Sequence, residues 1–299
     1  MRHSQILMWS VLIGLLLSCL ATPRAEAQDV EADCLKLRAA ISDLAATFPD
    51  RYAEAQQYMQ RLAQIEERLA RRDKSAAGDL KSLRRQALLA NPLVTDLPGL
   101  LLVQRKPKHM DEVITDRDRH LGFSAGPGRE IGMPSNHESN ASLERGGYDN
   151  ALCRLSPLRP DGKLSIVHRP PEGGYVGDLE LHFDATRLLF TQSSPAGWKI
   201  HEIDTDGAGL RQVSQLPDDV DAMDPCYLPN GRIVFGSTSS YQSVPCWHGC
   251  QPVSNLYVMD ADGSHVRQLC FDQDHNYHPT VLPSGQVLYQ RWDYTGISH

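Results

Sequence analysis

"EIDTDGAGLRQV" at residues 202–213 and "VMDADGSHVRQL" at 258–269 are one phrase written twice. Asp204 aligns with Asp260 and Gly207 with Gly263, each pair 56 residues apart. A second phrase travels with it. "DPCYLPNGRIVFGS" at 224–237 returns as "HPTVLPSGQVLYQR" at 278–291, which sets Gly285 54 residues after Gly231. A fainter copy, "LELHFDATRLLFTQ" at 179–192, puts Thr186 in the glycine's place, 45 residues before Gly231. Leu-Pro-x-Gly reads as a tight turn, with glycine supplying positive φ. Asp-x-Asp-Gly reads as a second hairpin turn. Runs such as "RIVFGS" and "NLYVMD" between the turns are rich in β-branched and aromatic residues, the composition of strands. Four short strands repeating at this period are the signature of a propeller blade, a unit that needs neighbours to bury its faces.

Counted this way, 99–106 and 150–168 form a first blade, 178–214 a second and 222–270 a third. Residues 277–291 supply half of a fourth. The expected fold is therefore mainly β: an incomplete propeller over 98–299, about three blades and a half. Closure would need more chain beyond His299 or a second molecule. Residues 107–150 are polar and irregular. Their glycines Gly126, Gly128 and Gly132 miss dinucleotide spacing, and no phosphate loop follows.

The chain before residue 98 has a different period. Tyr58, Leu62, Ile65 and Leu69 are spaced by four, three and four among Arg, Glu and Gln. That is a coiled-coil-like helical stripe. Leu80, Leu83, Ala87 and Ala90 continue an apolar face until Asn91-Pro92. A helical hairpin over 28–92 is expected, packed on its own domain rather than on a partner. Residues 1–27 read as a secretory signal peptide: Arg2 and His3, the apolar run of residues 6–20, then Ala25-Glu26-Ala27. A retained membrane anchor and lipoprotein anchoring through Cys19 are the alternatives. No later stretch is apolar and long enough to cross a membrane. The expected location is the periplasm or the exterior.

Charge narrows the partners. A net charge of −7, with 41% hydrophobic and 22% charged residues, suits a globular protein and argues against nucleic-acid binding. A small ligand or an envelope protein is the expected partner. The chain contains no G-x-S-x-G and no H-E-x-x-H, so no complete catalytic motif identifies an enzyme. Asn140-Ala141-Ser142 fits a glycosylation sequon.

The repeat also selects candidate residues. Asp221 and Asp224 before Pro225 correspond to His275 and His278 before Pro279. Such blade-to-blade connections lie at one rim of a propeller channel. Asp221, Asp224, His275 and His278 are thus candidates to hold a metal or an anionic group of a substrate. The competing expectation is that they cap turns and satisfy backbone amides. "CWHGC" at 246–250 misses the C-x-x-C-H of covalent c-type haem by one residue. Disulfides among Cys226, Cys246 and Cys250 are expected in an oxidising compartment. A zinc site from Cys226, Cys246, His248 and Cys250 is the alternative.

Several stretches together resemble a known family. "RRQALLANPL" (84–93) runs into "LLLVQRKPKHM" (100–110). "DPCYLPNGRIVFGST", "NLYVMDADGSHVRQL" and "DHNYHPTVLPSGQVLYQRWDYT" follow. They are similar to exported bacterial proteins that share the middle domain of the hydrazine synthase alpha subunit. The Asp-Gly-x-x-x-Arg-Gln-Leu phrase is shared with TolB-like propellers at large. The resemblance spans about residue 80 to the C-terminus. It implies a TolB-like β-propeller in the bacterial envelope, continuing past the position of His299, and marks Cys226 as a residue to watch as a ligand. The namesake is a multihaem oxidoreductase with haems on C-x-x-C-H, a motif this chain lacks. Two further functions follow as alternatives: a part of a c-type-cytochrome redox enzyme whose haem lies elsewhere, or a structural envelope protein assembling through its helices.

Overall fold

The computed structural model describes residues 30–106, 131–135, 138–159, 161–245, 249 and 251–294. Among the described residues two compact units emerge, one running up to Leu100 and taking in the stretch from Ser156 to Lys163, the other holding the rest.

The first unit is helical. Helix α1 (30–47) ends beside Pro49, and α2 (Ala55–Ala70), α3 (Ala76–Leu89) and α4 (Pro92–Thr95) follow. Tyr58, Leu62 and Ile65 of the predicted stripe are buried with Leu37, Ile41, Leu80, Leu83 and Ala87 in one apolar cluster. The stripe is therefore spent inside the unit. Asn91 caps α4, its side chain accepting from the Leu93 amide, with Pro92 at the first helical position. No helix among the described residues is long and apolar enough to cross a membrane. The predicted signal peptide lies outside the described residues.

The second unit is built from antiparallel sheets taken in chain order. A three-stranded sheet holds β1 (Leu100–Gln104), β2 (Ala151–Ser156) and β3 (Lys163–His168). A four-stranded meander follows, with β4 (Val176–Leu181), β5 (Arg187–Ser194), β6 (Gly197–Asp204) and β7 (Arg211–Gln212). The next is its copy: β8 (Ala222–Tyr227), β9 (Ile233–Ser237), β10 (Asn255–Met259) and β11 (Arg267–Gln268). A two-stranded sheet of β12 (Asn276–Val281) and β13 (Val287–Arg291) ends the described chain.

Successive sheets bury their faces against each other. Leu189 and Ile200 of one meander share a cluster with Ala222, Ile233, Phe235 and Met259 of the next. Leu152 packs likewise with Val176, Leu188, Phe190 and Ile203. The repeated Asp-Gly turns seal these junctions. A side chain added at Gly263 would meet the Val213 carbonyl beside β7, and one at Gly207 the Val167 carbonyl on β3. Val167 thus stands to the second sheet as Val213 does to the third. By this equivalence β1–β3 match the last three strands of a meander, and β12–β13 the first two.

The faint third copy needs one correction. Ala185, not Thr186, holds the left-handed place of Gly231 and Gly285, at φ 57°. Its amide bonds His182 O as Gly231 N bonds Leu228 O. The turn is one residue longer, closing from His182 N to Arg187 O, and Asp184 fills it by accepting from both the amide and hydroxyl of Thr186.

Candidate functional site

The strands β4, β8 and β12 open their sheets with "VGDLEL", "AMDPCY" and "NYHPTV". In each the third residue sits in the left-handed region: Asp178 at φ 52°, Asp224 at 50° and His278 at 51°. The ladder shifts there in all three, between Gly177 and Glu180, Met223 and Cys226, and Tyr277 and Thr280. These are β-bulges, which re-aim a side chain out of the pleat. Pro225 and Pro279 follow two of them and have no amide for the ladder. A residue before proline is ordinarily extended, so the left-handed Asp224 and His278 are held against preference. Asp and His tolerate this region better than most residues, at a cost of order 1 kcal/mol each.

The three bulges converge. His278 Nδ1 lies 3.0 Å from Asp224 Oδ1. The Asp224 amide donates to Thr191 Oγ1 at 3.1 Å, and the Thr191 hydroxyl bonds the Asp178 carboxylate. Asn140 Nδ2 donates to Asp178 Oδ2 from the segment 138–142. Arg105, just past β1, lies with its guanidinium 4.6 Å from the centre of the Tyr175 ring and donates to the Tyr175 hydroxyl at 2.9 Å. Gly177 makes room for this pair, because a Cβ there would fall 2.3 Å from the Tyr175 oxygen and 2.6 Å from Arg105 Nη2. Tyr175 in turn packs edge-on against Trp198 and Tyr148.

The electrostatics follow from burial. Loss of solvent pushes the Asp178 carboxyl well above its usual range, and the Asp224 charge adds to the push. Burial works against a charge on His278, but the contact with Asp224 and the charges of Asp224 and Asp178 prevail, raising the imidazole to about 9. At neutral pH His278 is a cation facing an anion. A group whose pKa is raised on folding stabilises the fold below its unfolded pKa and loses that contribution as pH rises through the folded value. The His278 contribution is therefore fully present below about pH 6.5 and is lost through about pH 9.

The four predicted rim residues divide into two pairs. Asp224 and His278 form the cluster. Asp221 and His275 are buried three residues earlier in the chain and do equivalent structural work. Asp221 Oδ1 accepts from the Trp198 amide at 2.9 Å, and His275 Nδ1 from the Ser254 amide at 3.1 Å. Each satisfies a backbone donor at the start of the third strand of the preceding sheet, as the capping expectation has it. Asn140 of the sequon is buried against Asp178, which leaves it no room for a glycan in the folded chain.

Cys226 is a free buried thiol rather than half of a disulfide, and Cys34, Cys153 and Cys270 are also free. Its sulfur lies 3.7 Å from Glu180 Oε1, and burial, with the Glu180 charge, pushes the thiol up to about 12. It is inert as a nucleophile. Cys246, His248 and Cys250, the remaining disulfide and zinc candidates, lie outside the described residues. Among the described residues no three His, Cys, Asp or Glu side chains are arranged to hold a metal ion.

Sequence reasoning missed Asp178, Thr191, Asn140, Arg105 and Tyr175. Asp178 was within reach: "VGDLEL" set over "AMDPCY" puts it in the column of Asp224 and His278. Aligned on its bulge, the faint repeat begins at Asp178 rather than at Leu179.

No family model matches the chain, and no curated protein matches it. Solved structures resemble parts of it. Hydrazine synthase from Kuenenia stuttgartiensis aligns at 16% identity and TM-score 0.46 over 64% of this chain and 28% of that one. A TolB-type protein from Agrobacterium tumefaciens aligns at 18% and 0.37 over 47% and 45%. TolB from Acinetobacter baumannii aligns at 14% and 0.34 over 48% and 36%. The chain thus spans less than half the length of each of these structures.

Proposed function

We propose that this chain is an exported ligand-binding module of propeller type, acting in the bacterial envelope. Its successive sheets would bring Asp178, Asp224 and His278 to one site for a small polar ligand. One observation carries the reading. The same bulge position in three consecutive sheets holds a strained, titratable side chain, with His278 against Asp224 and Asp178 joined to Asp224 through Thr191 and by charge. Strained backbone at polar residues that converge is characteristic of sites kept for binding rather than for stability. Export is supported by the sequence of residues 1–27.

The reading predicts a trade of stability for function. Glycine adopts the left-handed region freely. Replacing Asp224 and His278 together removes the ion pair without leaving either charge buried alone. The double variant Asp224→Gly, His278→Gly should therefore keep its unfolding free energy within about 1 kcal/mol of wild type, or gain stability. Denaturant unfolding measures this. A loss above roughly 3 kcal/mol would show the pair to be an architectural clamp, and the binding reading would fall.

A further inference from the structure

We infer that His278 Nε2–H receives the carboxylate of an anionic small ligand, an assignment that rests on the cluster being a ligand site.

Asp178 is already engaged by Asn140 Nδ2 and by the Thr191 hydroxyl. Asp224 is engaged by His278. Asp178 is thus met by two protein donors, and Asp224 Oδ1 faces the imidazole. The imidazole is different. Its Nδ1 meets Asp224, whose side chain is only 4% exposed, while the His278 side chain is 49% exposed. The ring reaches from a buried anion to accessible surface, and Nε2 has no partner among the described residues. Three charged groups act on the ring's surroundings: Asp224 from β8, Asp178 from β4, and Arg105, which acts on Asp178 from the end of β1. The Tyr277 ring packs edge-on beside it at 5.0 Å. Two acids facing inward keep both nitrogens protonated at neutral pH. The outward group is then a cationic N–H donor, and its complement is an oxyanion accepting one charge-assisted hydrogen bond. A single N–H on a single cation suits a monoanionic carboxylate. A phosphate dianion would call for a guanidinium cluster or a helix N-terminus at the same point.

The test uses acetate as the probe and acetamide, its neutral isostere, as the control. Histidine-selective NMR on the full chain at pH 7.5 follows His278, with exposed His265 as an internal reference. The inference expects a saturable acetate shift at His278, none with acetamide and none at His265. It also expects acetate to bind Asp224→Asn about tenfold more weakly at pH 7.5, because an imidazole returned to about 6.5 is then only about a tenth protonated. Lowering the pH to 5.5 should restore binding to that variant. Equal shifts with acetate and acetamide, or an equal shift at His265, would overturn the carboxylate assignment. If methylammonium rather than acetate saturates the cluster, the ligand site stands and the ligand class is wrong. If none of the three probes moves His278, the carboxylate assignment falls, and so does the reading of the cluster as a small-ligand site.

Discussion

Gly263→Ala should lose roughly 3 kcal/mol or more of unfolding free energy, while Gly231→Ala loses about 1. Both glycines close hairpin turns, and both have left-handed φ, 89° and 82°. The conformational cost of a Cβ is therefore similar at the two positions. The surroundings differ. A Cβ at Gly231 would meet nothing within 4 Å, whereas one at Gly263 would fall 2.1 Å from the Val213 carbonyl oxygen. Val213 cannot retreat. It is fully buried, and its amide is tied to Ile200 O at 2.8 Å. The alanine must push two sheets apart along the junction where Leu189, Phe235 and Met259 pack. Denaturant midpoints of the two variants give the comparison directly. Equal losses would mean that the turn alone is being measured, and that the sheets do not meet at Gly263 as described.

The second large effect belongs to Lys199. This side chain is 4% exposed in β6 and has no carboxylate partner among the described residues. Its three N–H donors go to three carbonyls, Leu216 O at 3.3 Å, Pro217 O at 2.7 Å and Val220 O at 2.9 Å. Burial lowers its pKa, with neighbouring Asp221 opposing. The ammonium thus gathers the loop between β7 and β8, the loop that delivers Asp221 to the Trp198 amide. Lys199→Met keeps the volume and strands two acceptors, Leu216 O and Val220 O, because Pro217 O still accepts from the Val220 amide at 3.1 Å. At about 1–3 kcal/mol for each buried group left unpaired, partly recovered by water, the variant should lose roughly 3 kcal/mol. For a unit of this size that is a drop in melting temperature of roughly 10 °C. A change under 1 kcal/mol would mean that the loop holds itself.

The strands and turns were legible because the repeat wrote them several times. Leu-Pro-x-Gly and Asp-x-Asp-Gly fix the turns through φ, and the apolar runs between them fix the faces. What the sequence hid was the bulge. Nothing in "AMDPCY" states that Asp224 is left-handed; that follows from how β8 meets β9 with Pro225 unable to pair. The divided fate of the four candidate residues was hidden for the same reason. Asp221 and Asp224 are three residues apart, yet the bulge turns one toward a backbone amide and the other toward His278. Asn140 and Arg105 come from segments far away in the chain, which no local pattern connects to Asp178. The helical stripe was legible as a stripe, and burial of Leu62 and Ile65 against Leu37 and Leu83 shows where it is spent.

The most direct test of the account is the titration of the His278 imidazole by NMR in the wild type and in Asp224→Asn. Convergence of the three bulges predicts a pKa near 9 in the wild type. It predicts a fall toward the ordinary value of about 6.5 when the Asp224 charge is removed. A wild-type value near 6.5, unchanged by the substitution, would contradict it: Asp224 and His278 would not meet, and the site would not exist as described.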